Sequence, residues 1–140
     1  MTTAIILFAH GARDPAWAQP FEAVAAQVRQ QASGQHVSLA FLEFMTPDLP
    51  TAGRAAMDAG CTSVCVVPLF LGAGGHVRKD LPVMLDELKR QYPQVAWQLS
   101  PAIGEVEAVV TAMASAAIKL ASSASASHTA PKPLGAGKRQ

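Results

Sequence analysis

Four short apolar runs punctuate the chain, each of strand length, and each is followed by a segment whose apolar positions recur at helical spacing. Ala4 to Ala9 (AIILFA) and the VCVVP run within Ser63 to Pro82 are continuous and rich in aliphatic residues, the signature of strands buried on both faces of a parallel sheet. Val37 to Phe44 and Val95 to Leu99 supply the second and fourth strands. Between them, Phe21, Val24, Ala25 and Val28 mark a first helix, with Pro20 near its start and Ser33-Gly34 at its stop. Asp48 is placed to cap a second helix running through Ala59, with Pro50 in its first turn and Gly60 just beyond its end. Asp80 reads as the cap of a third helix, whose Leu81, Met84, Leu85, Leu88 and Tyr92 form one apolar stripe. A fourth helix runs from Glu105 to about Leu120.

Strand and helix thus alternate four times, which predicts an α/β fold, a single three-layer sandwich lobe over residues 1–121. The expected sheet is four-stranded and mainly parallel, ordered 2-1-3-4 as in flavodoxin-type sheets, with right-handed crossovers. Residues 122–140, SSASASHTAPKPLGAGKRQ, are small and polar with almost nothing to bury, and read as a disordered C-terminal tail.

Composition narrows the function classes. A formal net charge of +1 and a pI near 7.9 offer no general field for nucleic acid. The apolar runs fall well short of the roughly 20 residues needed to cross a bilayer, and the N-terminus lacks the basic region of a signal peptide, so a cytoplasmic protein is expected. Cys61 and Cys65 match neither a redox CxxC nor paired zinc-site spacing, and read as small buried apolar residues.

In an open sheet of this order, ligands bind beyond the carboxyl ends of the strands, at the switch between strands one and three. His10 follows strand one, Glu43 ends strand two, and His76 lies in the loop after strand three, so topology sends all three to one edge. Two imidazoles and a carboxylate suit a borderline divalent metal, and both group types accept protons near neutral pH. Each also has a plainer reading: His10 as a turn residue, Glu43 as a solvated strand end, His76 as a loop residue bonding backbone. His36 and His128 read as solvated surface residues.

The stretch LFLGAGGHVRKD places Gly72, Gly74 and Gly75 immediately before His76, Arg78 and Lys79. It lacks GxxxxGK[ST], and Val77 stands where GxGxxG requires glycine, which weighs against nucleotide binding. Amides of Gly74 and Gly75, with Arg78 and Lys79 beside them and Arg13 from the first loop, form a set that can receive carboxylates, or simply a solvated rim.

LFAHGARDP, FLEFMTPDLP and VVPLFLGAGGHVRKDLP, in that order and spacing, resemble the short form of the class II tetrapyrrole chelatases, the sirohydrochlorin cobaltochelatase family, related to sirohydrochlorin ferrochelatase and nickelochelatase. The resemblance spans about residues 4 to 120; where many relatives show HGS, this chain has His10-Gly11-Ala12. It implies insertion of a divalent metal, in the first place Co(II) and alternatively iron or nickel, into sirohydrochlorin, without organic cofactor or ATP. It also implies that His10 and His76 hold the metal and take up pyrrole protons, with Glu43 assisting. Leu69, Phe70 and Leu71 are then expected to floor a wide cleft, with Arg13, Gly74, Gly75 and Arg78 at its rim toward the carboxylates of a flat substrate. One lobe is small for so wide a ligand, which suggests a homodimer with the cleft between two lobes. The other readings are a metal or tetrapyrrole carrier without turnover, which would keep the histidines, and a flavodoxin-like or receiver-like module, which would place acidic residues or a phosphate loop where His10 stands.

Overall fold

A computed structural model of the chain describes residues 2–72 and 74–129; the side chains of residues 76 and 125–129 lie outside the described set. The strands are β1 (Thr3–Ala9), β2 (His36–Phe41), β3 (Ser63–Pro68) and β4 (Ala96–Leu99), and the helices α1 (Gln19–Gln31), α2 (Leu49–Asp58), α3 (Gly75–Gln91) and α4 (Glu107–Thr129). The sheet order is β2-β1-β3-β4 and every pairing is parallel, as the alternation of elements predicts.

The register explains why β1 is apolar throughout. Ile6 pairs with Ser38 on one side and Val66 on the other, which makes β1 a central strand. Its even positions Ala4, Ile6 and Phe8 join Val64, Val66 and Trp97 in the main core, against Leu49 and Ala52 of α2 and Leu81, Leu85 and Leu88 of α3. Leu7 faces the opposite way, into a second cluster with Ala25 of α1 and Val37 of β2. Helices therefore cover both faces of the sheet. Cys61 is buried and both cysteines are free; burial pushes the Cys61 and Cys65 thiols above their ordinary pKa.

Two boundaries differ from expectation. β2 ends at Phe41, so Glu43 lies two residues beyond the strand. α3 begins at Gly75 behind Gly74, with Arg78 N–H bonding Gly74 O at 3.0 Å, so His76 belongs to the first turn of a helix and Asp80 is not its cap. Pro82 lies inside this helix, where it donates nothing to the i→i−4 ladder. The chain divides into two compact units, Met1–Glu105 and Val106–Gln140. Taken by itself, the second unit is helical through Thr129, because its Ala-rich run is a strong helix former despite its serines. Of the expected tail 122–140, residues 130–140 lie outside the described set. Among the described residues, no helix is long and apolar enough to cross a membrane.

Candidate functional site

Beyond the last residue of β1, the backbone keeps pairing with the chain that leaves β2. Leu42 N–H donates to Ala9 O at 2.9 Å and Glu43 N–H to His10 O at 3.1 Å. These two bonds hold the backbone leaving β2 against the backbone leaving β1 and set residues 10 and 43 next to each other in the main chain. The approach is so close that only glycine fits next to it: Gly11 has φ +90°, and a Cβ there would lie 1.9 Å from Glu43 O. The glycine of the HG pair is thus required by the packing of one site strand on the other.

His10 is half-buried, and its ring stacks on Phe70 with centroids 4.3 Å apart. Phe70 is 3% exposed and also touches Phe8 of the core, at 6.0 Å between centroids. One imidazole is therefore oriented by an aromatic plate that β3 delivers, which restricts the direction in which its nitrogens can ligate a metal or accept a proton. Glu43 is exposed and lines an open cleft of about 510 Å³ together with Leu42, Met45, Pro47 and Thr51. The next residue, Phe44, adopts φ 67° in a three-residue turn closed by Met45 N–H on Glu43 O at 2.8 Å. Its ring is 56% exposed and lies 4.6 Å below the Arg13 guanidinium carbon, a cation–π contact that holds Arg13 beside the same loop.

The expected residues after β3 divide. Phe70 is a member of the main core. Leu69 is half-buried against the α1-side cluster, and Leu71 stands 71% exposed. A Cβ at Gly72, Gly74 or Gly75 would meet nothing within 4 Å, and none of the three has positive φ, so the backbone does not demand them. The side chain of His76 lies outside the described residues; its backbone is the second residue of α3, at the same end of the sheet as His10 and Glu43. Among the described residues, no group of three or more His, Cys, Asp or Glu is gathered as a metal cage.

Gly104 and Glu105 also belong here: Glu105, expected at the start of the fourth helix, lies before α4. Ile103–Glu105 is a 3₁₀ turn following β4, at the carboxyl edge where the other loops gather. Gly104 N–H donates to Phe70 O at 2.9 Å, and a Cβ on Gly104 would sit 1.9 Å from Leu71 O, so this turn lies directly on the loop after β3. Glu105 Oε2 accepts from Arg78 Nη2 at 2.8 Å. Beside this ion pair is a cleft of about 150 Å³ lined by Pro68, Phe70, Val77, Leu81, Leu99, Pro101 and Ala102. The signal was the position of IGE just past a strand, where the carboxyl-edge rule applies as it does to His10.

Comparison with known proteins gives this edge a family. The chain is 34% identical over 82 residues to a sirohydrochlorin cobaltochelatase of Methanopyrus kandleri, covering 59% of this chain and 57% of that protein. It is 30% identical over 113 residues to a sirohydrochlorin ferrochelatase of Bacillus subtilis, covering 81% of this chain and 43% of that one. The chain thus spans about half the length of these curated relatives. A crystal structure of a CbiX protein of cobalamin biosynthesis from Marinobacter aquaeolei superposes with a TM-score of 0.77 at 32% identity, covering 86% of this chain and 98% of that one. The CbiX family model matches residues 4–120, which takes in His10, Glu43 and His76 together, and the chain belongs to the CbiX family.

Proposed function

We propose that this chain inserts a divalent metal, in the first place Co(II), into sirohydrochlorin. The observation that carries the reading is the backbone pairing of His10 with Glu43 at the carboxyl edge of the sheet, with the first turn of α3, and hence His76, at that same edge. The relatives named as cobalt and iron chelatases support the same substrate class.

The chemistry asks for little and rules out much. The ion must shed water, be held by few ligands so that it can leave, and two pyrrole protons must be accepted as the ring nitrogens become ligands. His10 and His76 are the proposed ligands and proton acceptors, since an imidazole nitrogen can both ligate a borderline metal and accept a proton. Glu43, exposed beside His10, is proposed to pass protons on to solvent. Arg13 and Arg78 are the proposed cations for the substrate carboxylates, Leu69 and Leu71 apolar contacts beside the ring, and Gly74 and Gly75 leave open space where a flat ligand can approach. No organic cofactor is required. The working form is proposed to be a cytoplasmic homodimer, with the macrocycle held between two lobes.

The test offers purified protein sirohydrochlorin with Co(II), Fe(II) and Ni(II) separately and follows the visible spectrum. Insertion is expected with Co(II), and His10→Ala and His76→Ala are each expected to abolish it with the circular dichroism spectrum retained. Full activity in both variants would remove the proposed site. Tight metal or tetrapyrrole binding with no insertion of any metal would instead establish a carrier.

A further inference from the structure

From the turn after β4 we infer that Glu105 is an internal stand-in for a substrate carboxylate, and that the cleft beside it is a subsite for one carboxyalkyl arm of the tetrapyrrole. The inference rests on the chelatase reading and adds to it a residue and a location. The cleft measures about 150 Å³, below the roughly 300–1,000 Å³ of pockets that enclose a whole small molecule, so it takes a side arm and not a ring. Its walls are apolar, including Pro68, Val77, Leu81, Leu99 and Ala102, which suits the methylenes of an arm. Its one described cation is Arg78, and that guanidinium is engaged by Glu105 at 2.8 Å in this structure.

The geometry favours exchange over a permanent lock. The Arg78 and Glu105 side chains are 61% and 40% exposed, and ion pairs that open to solvent contribute little to stability. An arriving carboxylate can thus replace the Glu105 oxygen on Arg78 with small loss to the fold, keeping the charge-assisted, fork-shaped contact that arginine makes with carboxylates. The turn that carries Glu105 is itself fixed, by the Gly104–Phe70 hydrogen bond and by the backbone contact at Leu71, so the displaced carboxylate has only its own side chain to move. Phe70 links the subsite to the reacting centre, since the ring that lines the cleft also stacks on His10. Occupation of the subsite would then register the macrocycle against the metal-handling edge.

The test is a double-mutant cycle on the full chain, reading KM for sirohydrochlorin in the Co(II) assay and its dissociation constant without metal. Glu105→Gln removes this carboxylate from Arg78 and is expected to lower both by about two- to fivefold, the equilibrium factor an exposed ion pair carries. Arg78→Gln is expected to raise both by roughly tenfold, the worth of a hydrogen bond to a charged group. On the Arg78→Gln background, Glu105→Gln is expected to have no further effect. A Glu105→Gln protein with unchanged or weaker binding, alongside normal wild-type turnover, would overturn the subsite and leave the chelatase reading standing. A wild-type protein that neither binds sirohydrochlorin nor inserts metal would overturn both.

Discussion

Gly11→Ala tests whether the edge that carries His10 is built as described. The substitution meets two obstacles. At φ +90° an L-residue is strained by about 1–2 kcal/mol. The new methyl would also lie 1.9 Å from Glu43 O and 3.1 Å from Glu43 C, so the Glu43 backbone must retreat. That movement breaks the Leu42–Ala9 and Glu43–His10 hydrogen bonds, each worth about 1 kcal/mol net. The expected loss is about 3–4 kcal/mol, a large share of the roughly 5–15 kcal/mol that holds an ordinary domain together. Gly34 and Gly60 provide the controls: they have φ +92° and +88°, but a Cβ at either meets nothing within 4 Å, so their alanine variants should lose only the strain of about 1–2 kcal/mol. The assay is urea unfolding of the three variants, comparing midpoints at constant slope. A Gly11→Ala protein no less stable than the two controls would refute the close approach of Gly11 to the Glu43 carbonyl.

Glu43→Gln is expected to slow metal insertion more than it weakens metal binding; a normal rate would return Glu43 to a structural role. Asp48 caps α2 by accepting from Thr51 N–H at 2.9 Å, and the Thr51 hydroxyl and amide hold its carboxyl below the ordinary carboxylate range. Asp48→Ala should lose about 1 kcal/mol at neutral pH. Because the folded-state pKa is lowered, this stabilisation is present above the unfolded value of about 3.9 and fades as pH falls through the folded one, so wild type and variant should converge in acid unfolding. Phe70→Leu should lose roughly 1–2 kcal/mol from the core and also slow metal insertion by loosening His10, measured by melting and by initial rate. The Cys61 and Cys65 thiols, raised by burial, should react slowly with a disulfide reagent at pH 8 and rapidly in denaturant.

The central strands β1 and β3 were legible because cover on both faces leaves nearly uninterrupted apolar runs, and the edge strands β2 and β4 from shorter runs broken by Ser38 and Gln98; the order followed from the crossover rules applied to all four. The Asp48 cap was legible for a local reason, an acidic residue before proline and an apolar helix face. The start of α3 was not. Three glycines read as loop, and a residue such as Asp80 before Leu81-Pro82 reads as a cap, yet the helix begins at Gly75 without any side-chain cap. The glycines misled in a second way: those in the conspicuous cluster are free of backbone constraint, whereas Gly11 and Gly104 are fixed by carbonyls distant in sequence. A steric requirement created by residues 43 and 71 leaves no trace in the local pattern around 11 and 104. The Glu105–Arg78 pair was hidden for the same reason, being a contact 27 positions apart.

The hydrogen bonds of Leu42 to Ala9 and of Glu43 to His10 mean that the backbones of residues 10 and 43 share a single mechanical frame. The segment between Leu42 and Pro47 is closed on itself, with Phe41 N–H bonded to Pro47 O at 2.9 Å, so its length is set at both ends. One residue inserted or removed there would shift Glu43 N–H off the His10 carbonyl. In any chain that keeps this contact, the loop after β2 should therefore tolerate exchanges of residue far better than changes of length.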